Sequence, residues 1–172
     1  MNKHKGFTLI ELMITVAIMS IMLTVGLPSF QSIIASSRLT SSANAMVSAL
    51  QLARSEALKQ HKTVIIAPKK DKAWTDGWDV FVDLNKDDIP QSNEQVLASA
   101  VFDSANSTMA ITATYADHIG YSANGRPVHN AIQTNSDSWF LFCTPKSSPS
   151  DFRKVVISLT GRVHVETPTS CG

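Results

Sequence analysis

From Phe7 to Leu27 the chain is almost continuously apolar, and from Leu12 to Ser37 it carries no charged residue. About 20 helical residues are enough to cross the hydrocarbon core of a bilayer. Glu11 breaks the pattern near one end of the run. A charge in such a segment costs on the order of 2.5–3.5 kcal/mol at mid-helix and less near an end, which points to a function for it. Beyond the run, Leu39, Ala43, Met46, Val47, Leu50, Ala53, Ala57 and Leu58 recur at spacings of three and four. That spacing predicts an amphipathic continuation of the same helix, with Arg38, Asn44, Gln51 and Glu56 mostly off the stripe. A helix from Phe7 to Gln60 would be about 80 Å long. Gly26 and Pro28 interrupt it, and because proline lacks a donor and crowds the preceding turn, a kink or local melting is expected at Pro28. Lys59, His61 and Lys62 suit the negative end of the helix dipole.

After Lys62 the period changes. Thr63–Ala67 reads as a strand ended by Pro68, followed by the charged turn Lys69-Lys70-Asp71-Lys72. Trp78, Val80, Val82 and Leu84 alternate with Asp79, Phe81 and Asp83, which predicts a half-buried strand. Further strands are expected at Gln95–Phe102, Met109–Tyr115, His118–Ser122, Ser138–Cys143, Lys154–Leu159 and Val163–Glu166, the last after a Thr160-Gly161 turn. The expected fold class is α+β, a long kinked N-terminal helix packed on a C-terminal β-rich globular domain.

The leader in front of the apolar run, Met1–Lys5, holds two lysines and a histidine. A secretory signal would have a shorter core and a cleavage site of small residues, for which only Ala35-Ser36-Ser37 offers itself. A plain membrane anchor leaves Glu11 unexplained. Gly6-Phe7-Thr8-Leu9-Ile10-Glu11 behind a basic leader resembles the class III signal of type IV pilins and pseudopilins. The resemblance implies cleavage between Gly6 and Phe7 by prepilin peptidase and N-methylation of Phe7. It divides the chain into a leader (1–6), a transmembrane and assembly half of the helix (7–35) and a periplasmic globular domain (36–172). Lys3 and Lys5 hold the N-terminus in the cytoplasm, so the remainder faces the periplasm of a bacterial inner membrane. After cleavage Glu11 lies one turn from the new amine of Phe7, and in a fibre it would pair with a neighbour's amine, relieving two charges in an apolar setting. Pro28 matches a proline common in pilins.

A finer resemblance lies in the body. Leu52-Ala53-Arg54-Ser55-Glu56-Ala57, Gly77-Trp78-Asp79-Val80-Phe81-Val82-Asp83 and Gly161-Arg162-Val163 look like the GspH/FimT branch. That branch contains minor pseudopilins of type II secretion and minor pilins of type IV pili. The expected function is that of a minor pilin in pilus initiation or tip assembly. Its partners would be other major and minor pilins, prepilin peptidase and the inner-membrane assembly platform. The alternatives are a minor pseudopilin of type II secretion and a DNA-binding tip receptor for natural transformation.

Charge changes this picture little. The formal charge is +1 from 15 basic and 14 acidic residues, and loss of Lys3 and Lys5 with the leader leaves 13 against 14, or −1. DNA binding would need a local patch. Some FimT-like minor pilins bind DNA through a Gly-Arg-x-Arg motif near the C-terminus. Here the corresponding stretch is Gly161-Arg162-Val163-His164, with histidine in place of the second arginine and Glu166 on the same strand face. Arg162, His164, Arg153 and Lys154 are the DNA-contact candidates. The two cysteines, Cys143 and Cys171, are most simply a disulfide in a periplasmic domain, the other option being two buried thiols.

Metals and catalysis find little support. Asp83, Asn85, Asp87 and Glu94 fall at calcium-loop spacing, yet Asp88 stands where the tight turn needs glycine, Pro90 follows, and the segment leaves a strand rather than a helix. The histidines at 4, 61, 118, 129 and 164 show no metal-ligand spacing. No Gly-x-Ser-x-Gly elbow or glycine-rich phosphate loop occurs, so neither an enzyme nor a cofactor is expected. Trp74, Trp78 and Trp139-Phe140-Leu141-Phe142 read as turn and core.

Overall fold

The computed structural model describes residues 7–69, 73–101, 110–113, 117–128, 138–143 and 152–170, with the side chains of residues 25–32 and 110–113 outside that description. One helix, α1, runs from Leu9 to Gln60. It ends where His61 takes a left-handed conformation (φ 54°), a common way to stop a helix. The helical assignment continues across Gly26 and Pro28, so no melting interrupts the backbone there; the side chain of Pro28 lies outside the described residues. The chain divides into two units, residues 1–36 and residues 37–172.

In the first unit the apolar run is bare. Every large apolar side chain from Phe7 to Leu23 is at least 49% exposed. A surface that apolar is normally covered by lipid or by other protein. Among the described residues no helix is long and apolar enough to cross a membrane. The apolar run continues in sequence through residues 25–32, whose side chains are outside the description.

In the second unit, nine strands follow α1 among the described residues. They are β1 (Thr63–Pro68), β2 (Trp78–Asp83), β3 (Val96–Ala100), β4 (Ala110–Ala113), β5 (Ile119–Tyr121), β6 (Pro127–Val128), β7 (Ser138–Cys143), β8 (Arg153–Ile157) and β9 (Val163–Glu166). A one-turn 3-10 helix, Trp74–Asp76, precedes β2. The strands form two antiparallel sheets in the orders β3-β2-β1-β5-β6 and β4-β7-β8-β9. Both sheets bury one face against α1. Leu39, Ala43, Met46, Leu50, Ala53 and Ala57 of the helix share a core with Val64, Ile66, Val80 and Val82 of the first sheet and Phe140, Phe142, Val155 and Ile157 of the second. Trp74 meets Phe140 edge-on, with ring centroids 4.9 Å apart.

The expected stripe departs from this core at one residue. Leu58 is 46% exposed; it lies beside the Gly125 turn, where an added Cβ would stand 3.1 Å from its Cδ2. The alternation read in β2 also changes meaning. Phe81 and Asp83 are buried rather than solvated, and Leu84 is exposed. Phe81 packs with Ile65, Ala67 and Val128 in a second cluster on the far face of the first sheet. Ala67 and residues 87–90 of the loop after β2 line one cavity with Pro68, Asp117 and His118. Strand β6 was not expected from sequence; its two residues, including a proline, carry no periodicity to detect.

Candidate functional site

The start of α1 is built by four residues. Thr8 precedes the first helical residue and its backbone N–H donates to Glu11 Oε2 at 2.9 Å. The Thr8 hydroxyl donates to the same oxygen at 3.0 Å, and the Glu11 N–H donates to Thr8 Oγ1 at 3.3 Å. This is a reciprocal capping box, which satisfies backbone donors that a helix start otherwise leaves open. Thr8-Leu9-Ile10-Glu11 therefore carries a local instruction in addition to the pilin-like signal, and sequence reading had missed it. Phe7 is 80% exposed beside this turn. Gly6, and with it the expected cleavage point, lies outside the described residues.

The C-terminal candidates separate. Neighbouring strand residues point to opposite faces, and Arg153 shares its parity with the core residues Val155 and Ile157. It therefore lies on the core side of β8, where its Nη1 donates to the Phe152 carbonyl at 2.7 Å. Lys154 lies on the other side. It pairs with Glu166 at 3.2 Å and sits 5.7 Å from the centre of the Trp139 ring. His164 meets the second Glu166 oxygen at 3.2 Å. The His164 hydrogen bond, then Lys154, hold the Glu166 carboxyl below the usual carboxylate range. Arg162 is exposed and has no carboxylate partner among the described residues. Of the four cations proposed for DNA, one remains available in full.

The structure supplies other cations beside it. The β8–β9 hairpin turns through Ser158-Leu159-Thr160-Gly161-Arg162, and the β5–β6 hairpin through Ser122-Ala123-Asn124-Gly125-Arg126. In both, the serine N–H donates to the arginine carbonyl (2.9 Å each) and the glycine N–H donates to the serine carbonyl (2.8 and 2.7 Å). Gly161 and Gly125 occupy the left-handed position (φ 80° and 73°) that three-residue hairpin loops require. The two turns touch: a Cβ on Gly161 would stand 2.9 Å from the Gly125 carbonyl oxygen. Arg54 of α1 reaches under the second turn, donating from Nη1 to the Gly161 carbonyl at 2.8 Å and from Nη2 to the Thr160 carbonyl at 3.0 Å. It lies 6.0 Å from the Tyr121 ring, whose hydroxyl donates to Gly161 O at 3.3 Å. The repeated Ser-x-x-Gly-Arg is present in sequence, but only the approach of Gly161 to Gly125 shows that its two copies adjoin.

The acidic loop after β2 uses its carboxylates on its own backbone. Glu94 accepts the N–H groups of Leu84 and Gln91, Asp83 that of Lys86 and Asp87 that of Ile89. Gln91 Nε2 also donates to Asp87. Among the described residues no group of three histidine, cysteine or acidic side chains converges as a metal site would require. Cys143 is buried at the end of β7, and no free cysteine occurs among the described residues. Its expected partner, Cys171, lies outside them.

Comparison with known proteins decides the family. Residues 42–161 match the family model described as Type II transport protein GspH, and residues 1–27 match the prokaryotic N-terminal methylation motif. The chain belongs to the GspH family. Its relatives include a type IV major alpha-pilin of Moraxella bovis, 40% identical over 67 residues, or 39% of this chain and 42% of that protein. A fimbrial protein of Pseudomonas aeruginosa is 40% identical over 65 residues, or 38% of this chain and 42% of that protein. The chain thus spans about two fifths of the length of the curated relatives it matches. The crystal structure of the Pseudomonas aeruginosa type IV minor pilin FimU superimposes with a TM-score of 0.61 at 27% identity. It covers 79% of this chain and 96% of that one. A second crystal form of FimU gives a TM-score of 0.57 over a similar extent. The GspH-family chain therefore has the α+β pilin fold, and it is a FimU-like member of the type IV pilin family. Family and fold are those of structural, non-enzymatic proteins. The methylation motif marks a membrane-anchored pilus component.

Proposed function

We propose that this GspH-family chain is a minor pilin that takes part in initiating or capping a type IV pilus. The observation that supports the reading is the superposition on FimU over 79% of this chain. In this reading prepilin peptidase cuts between Gly6 and Phe7, and Phe7 is N-methylated. The apolar half of α1 waits in the inner membrane with its C-terminal domain in the periplasm, and the assembly platform passes it into the fibre. The exposed apolar run from Phe7 to Leu23 then packs against other pilin helices, a kink at Pro28 lets the helix follow them, and Glu11 pairs with the amine of a neighbouring subunit. A Cys143–Cys171 disulfide ties the C-terminus to β7.

The description of the matched family favours a second reading, a minor pseudopilin of type II secretion. Deleting the gene separates the two. The pilus reading expects pili sheared from wild-type cells to contain the chain, and cells lacking it to carry several-fold fewer pili with secretion unchanged. Normal piliation with a secretion defect would transfer the chain to the pseudopilus. A DNA-receptor role retains Arg162, exposed and without a carboxylate partner among the described residues, of its four candidates.

A further inference from the structure

The touching hairpin turns form an arginine pole at one end of the globular domain. Register fixes which end. Tyr121 pairs with Val64 and Ile119 with Ile66, so the turn after Tyr121 lies toward the start of β1, which follows the last turn of α1. Arg126 and Arg162 are both exposed there, and neither has a carboxylate partner among the described residues. Two leucines share the pole: Leu159, 53% exposed in the second turn, and Leu58, 46% exposed against Gly125 of the first. Exposed apolar side chains beside guanidinium groups are the composition of a protein-binding surface, in which arginine is enriched.

The pole is held in shape by its own bonds. The Tyr121 hydroxyl and Arg54 both donate to the Gly161 carbonyl, and Arg54 also donates to that of Thr160. The Arg162 N–H donates to Ser158 Oγ at 3.0 Å and the Arg126 N–H to Asn124 Oδ1 at 3.1 Å. A surface fixed in this way loses little freedom when a partner docks, and each guanidinium offers a planar fork that matches a carboxylate.

The same observations select among partners. A nucleic acid is gripped through a row of phosphates, but the next cations along β8 and β9, Lys154 and His164, are taken up by Glu166. A second copy of this chain has no matching surface among the described residues. The carboxylates of the loop after β2 hold its own backbone and His118. Glu56, Asp79 and Glu166 hold lysines, and Asp117 has an interaction of its own. That leaves Asp76, a single carboxylate, to face two arginines.

We infer that the Arg126–Arg162 pole docks a non-identical pilin-type subunit whose contacting face carries clustered carboxylates beside apolar side chains. This rests on the minor-pilin reading and deepens it, since a subunit that initiates or caps a fibre meets a neighbour unlike itself. The charges set register and encounter, and the leucines supply the apolar centre of the contact.

The test uses the full-length chain in its own membrane. A photo-crosslinking residue at Ala123, exposed on the first turn, is expected to give a major adduct to a different processed pilin-type subunit. Mass spectrometry should map the second site to a segment holding two or more aspartates or glutamates. Raising salt from about 0.05 to about 0.5 M before irradiation is expected to lower the yield several-fold, since charge contacts at a rim are screened. The double variant R126E/R162E should lower it about tenfold. Changing the mapped carboxylates of the partner to lysine should restore the adduct with R126E/R162E, which a variant that had merely unfolded would not form. No adduct, a homodimer, an adduct to nucleic acid or to an unrelated protein, a second site without carboxylates, or failure of the charge swap would overturn the inference. A partner from the pseudopilus would keep the contact and move the pilus assignment, whereas a pilus defect in the deletion without this adduct would remove the contact alone.

Discussion

Glu11→Gln is expected to abolish incorporation of the chain into fibres while leaving its helix start intact. The capping turn makes this a sharper test than removal of the side chain. A glutamine oxygen still accepts the Thr8 N–H and hydroxyl bonds that the carboxylate accepts at 2.9 and 3.0 Å, so the local helix signal survives. What disappears is the negative charge. A neighbour's amine buried among apolar helices would then be unpaired, at a cost of about 3–5 kcal/mol, a hundredfold or more in incorporation. Glu11→Ala should fail as well and also lose the cap, worth about 1 kcal/mol. Cleavage at Gly6–Phe7 should proceed in both variants. The measurement is the amount of processed chain in sheared fibres relative to that in the membrane. If Glu11→Gln assembles normally, the carboxylate serves the cap and the pairing hypothesis fails.

Reduction of the proposed Cys143–Cys171 bond is expected to cost the periplasmic domain about 3–4 kcal/mol, from closure of a loop of roughly 30 residues. Cys143 is 3% exposed, so serine there would add the burial of a hydroxyl to the loss of the link. Cys171→Ser is the cleaner variant. Its unfolding midpoint in denaturant should fall to match the reduced wild type, and non-reducing mass spectrometry of the oxidised domain should recover a Cys143–Cys171 peptide pair. Two alkylatable thiols in protein taken from the periplasm, or a wild-type midpoint indifferent to reductant, would remove the bond from the account.

Periodicity carried the helix almost to its ends. Spacings of three and four from Leu39 to Ala57 mark the face that the core uses, because a helix under two sheets must bury a continuous stripe. It failed at Leu58, which is 46% exposed beside the Gly125 turn. Strands β7 and β9 were legible to the residue, and β2 was legible in position but not in environment. The expected strands from Gln95 to Tyr115 are longer than β3 and β4, and their excess falls partly outside the described residues. Alternation assumes one wet face, whereas Phe81 packs with Ile65, Ala67 and Val128 on the second face. No local pattern announces that β6 will place Val128 against that face.

The same division holds for the sites. Local chemistry is enough for the basic leader, the Gly6–Glu11 signal, the apolar run and the change of period after Lys62. Each of these acts through neighbours in the chain, so order along the sequence contains it. The DNA candidates lie close together in sequence, and the fold gives them different surroundings. Adjacent Arg153 and Lys154 point to opposite faces, while Lys154 and His164 are taken by Glu166 across the β8–β9 ladder. Arg54, Arg126 and Arg162 lie far apart in the chain and became one cluster only when two hairpins and the end of α1 met. Cavity and arginine pole alike exist because the antiparallel register sends the Ser122 turn and the Asp117–His118 entry to opposite ends of β1. Strand pairing between distant segments decides that placement, and only the tertiary structure records it.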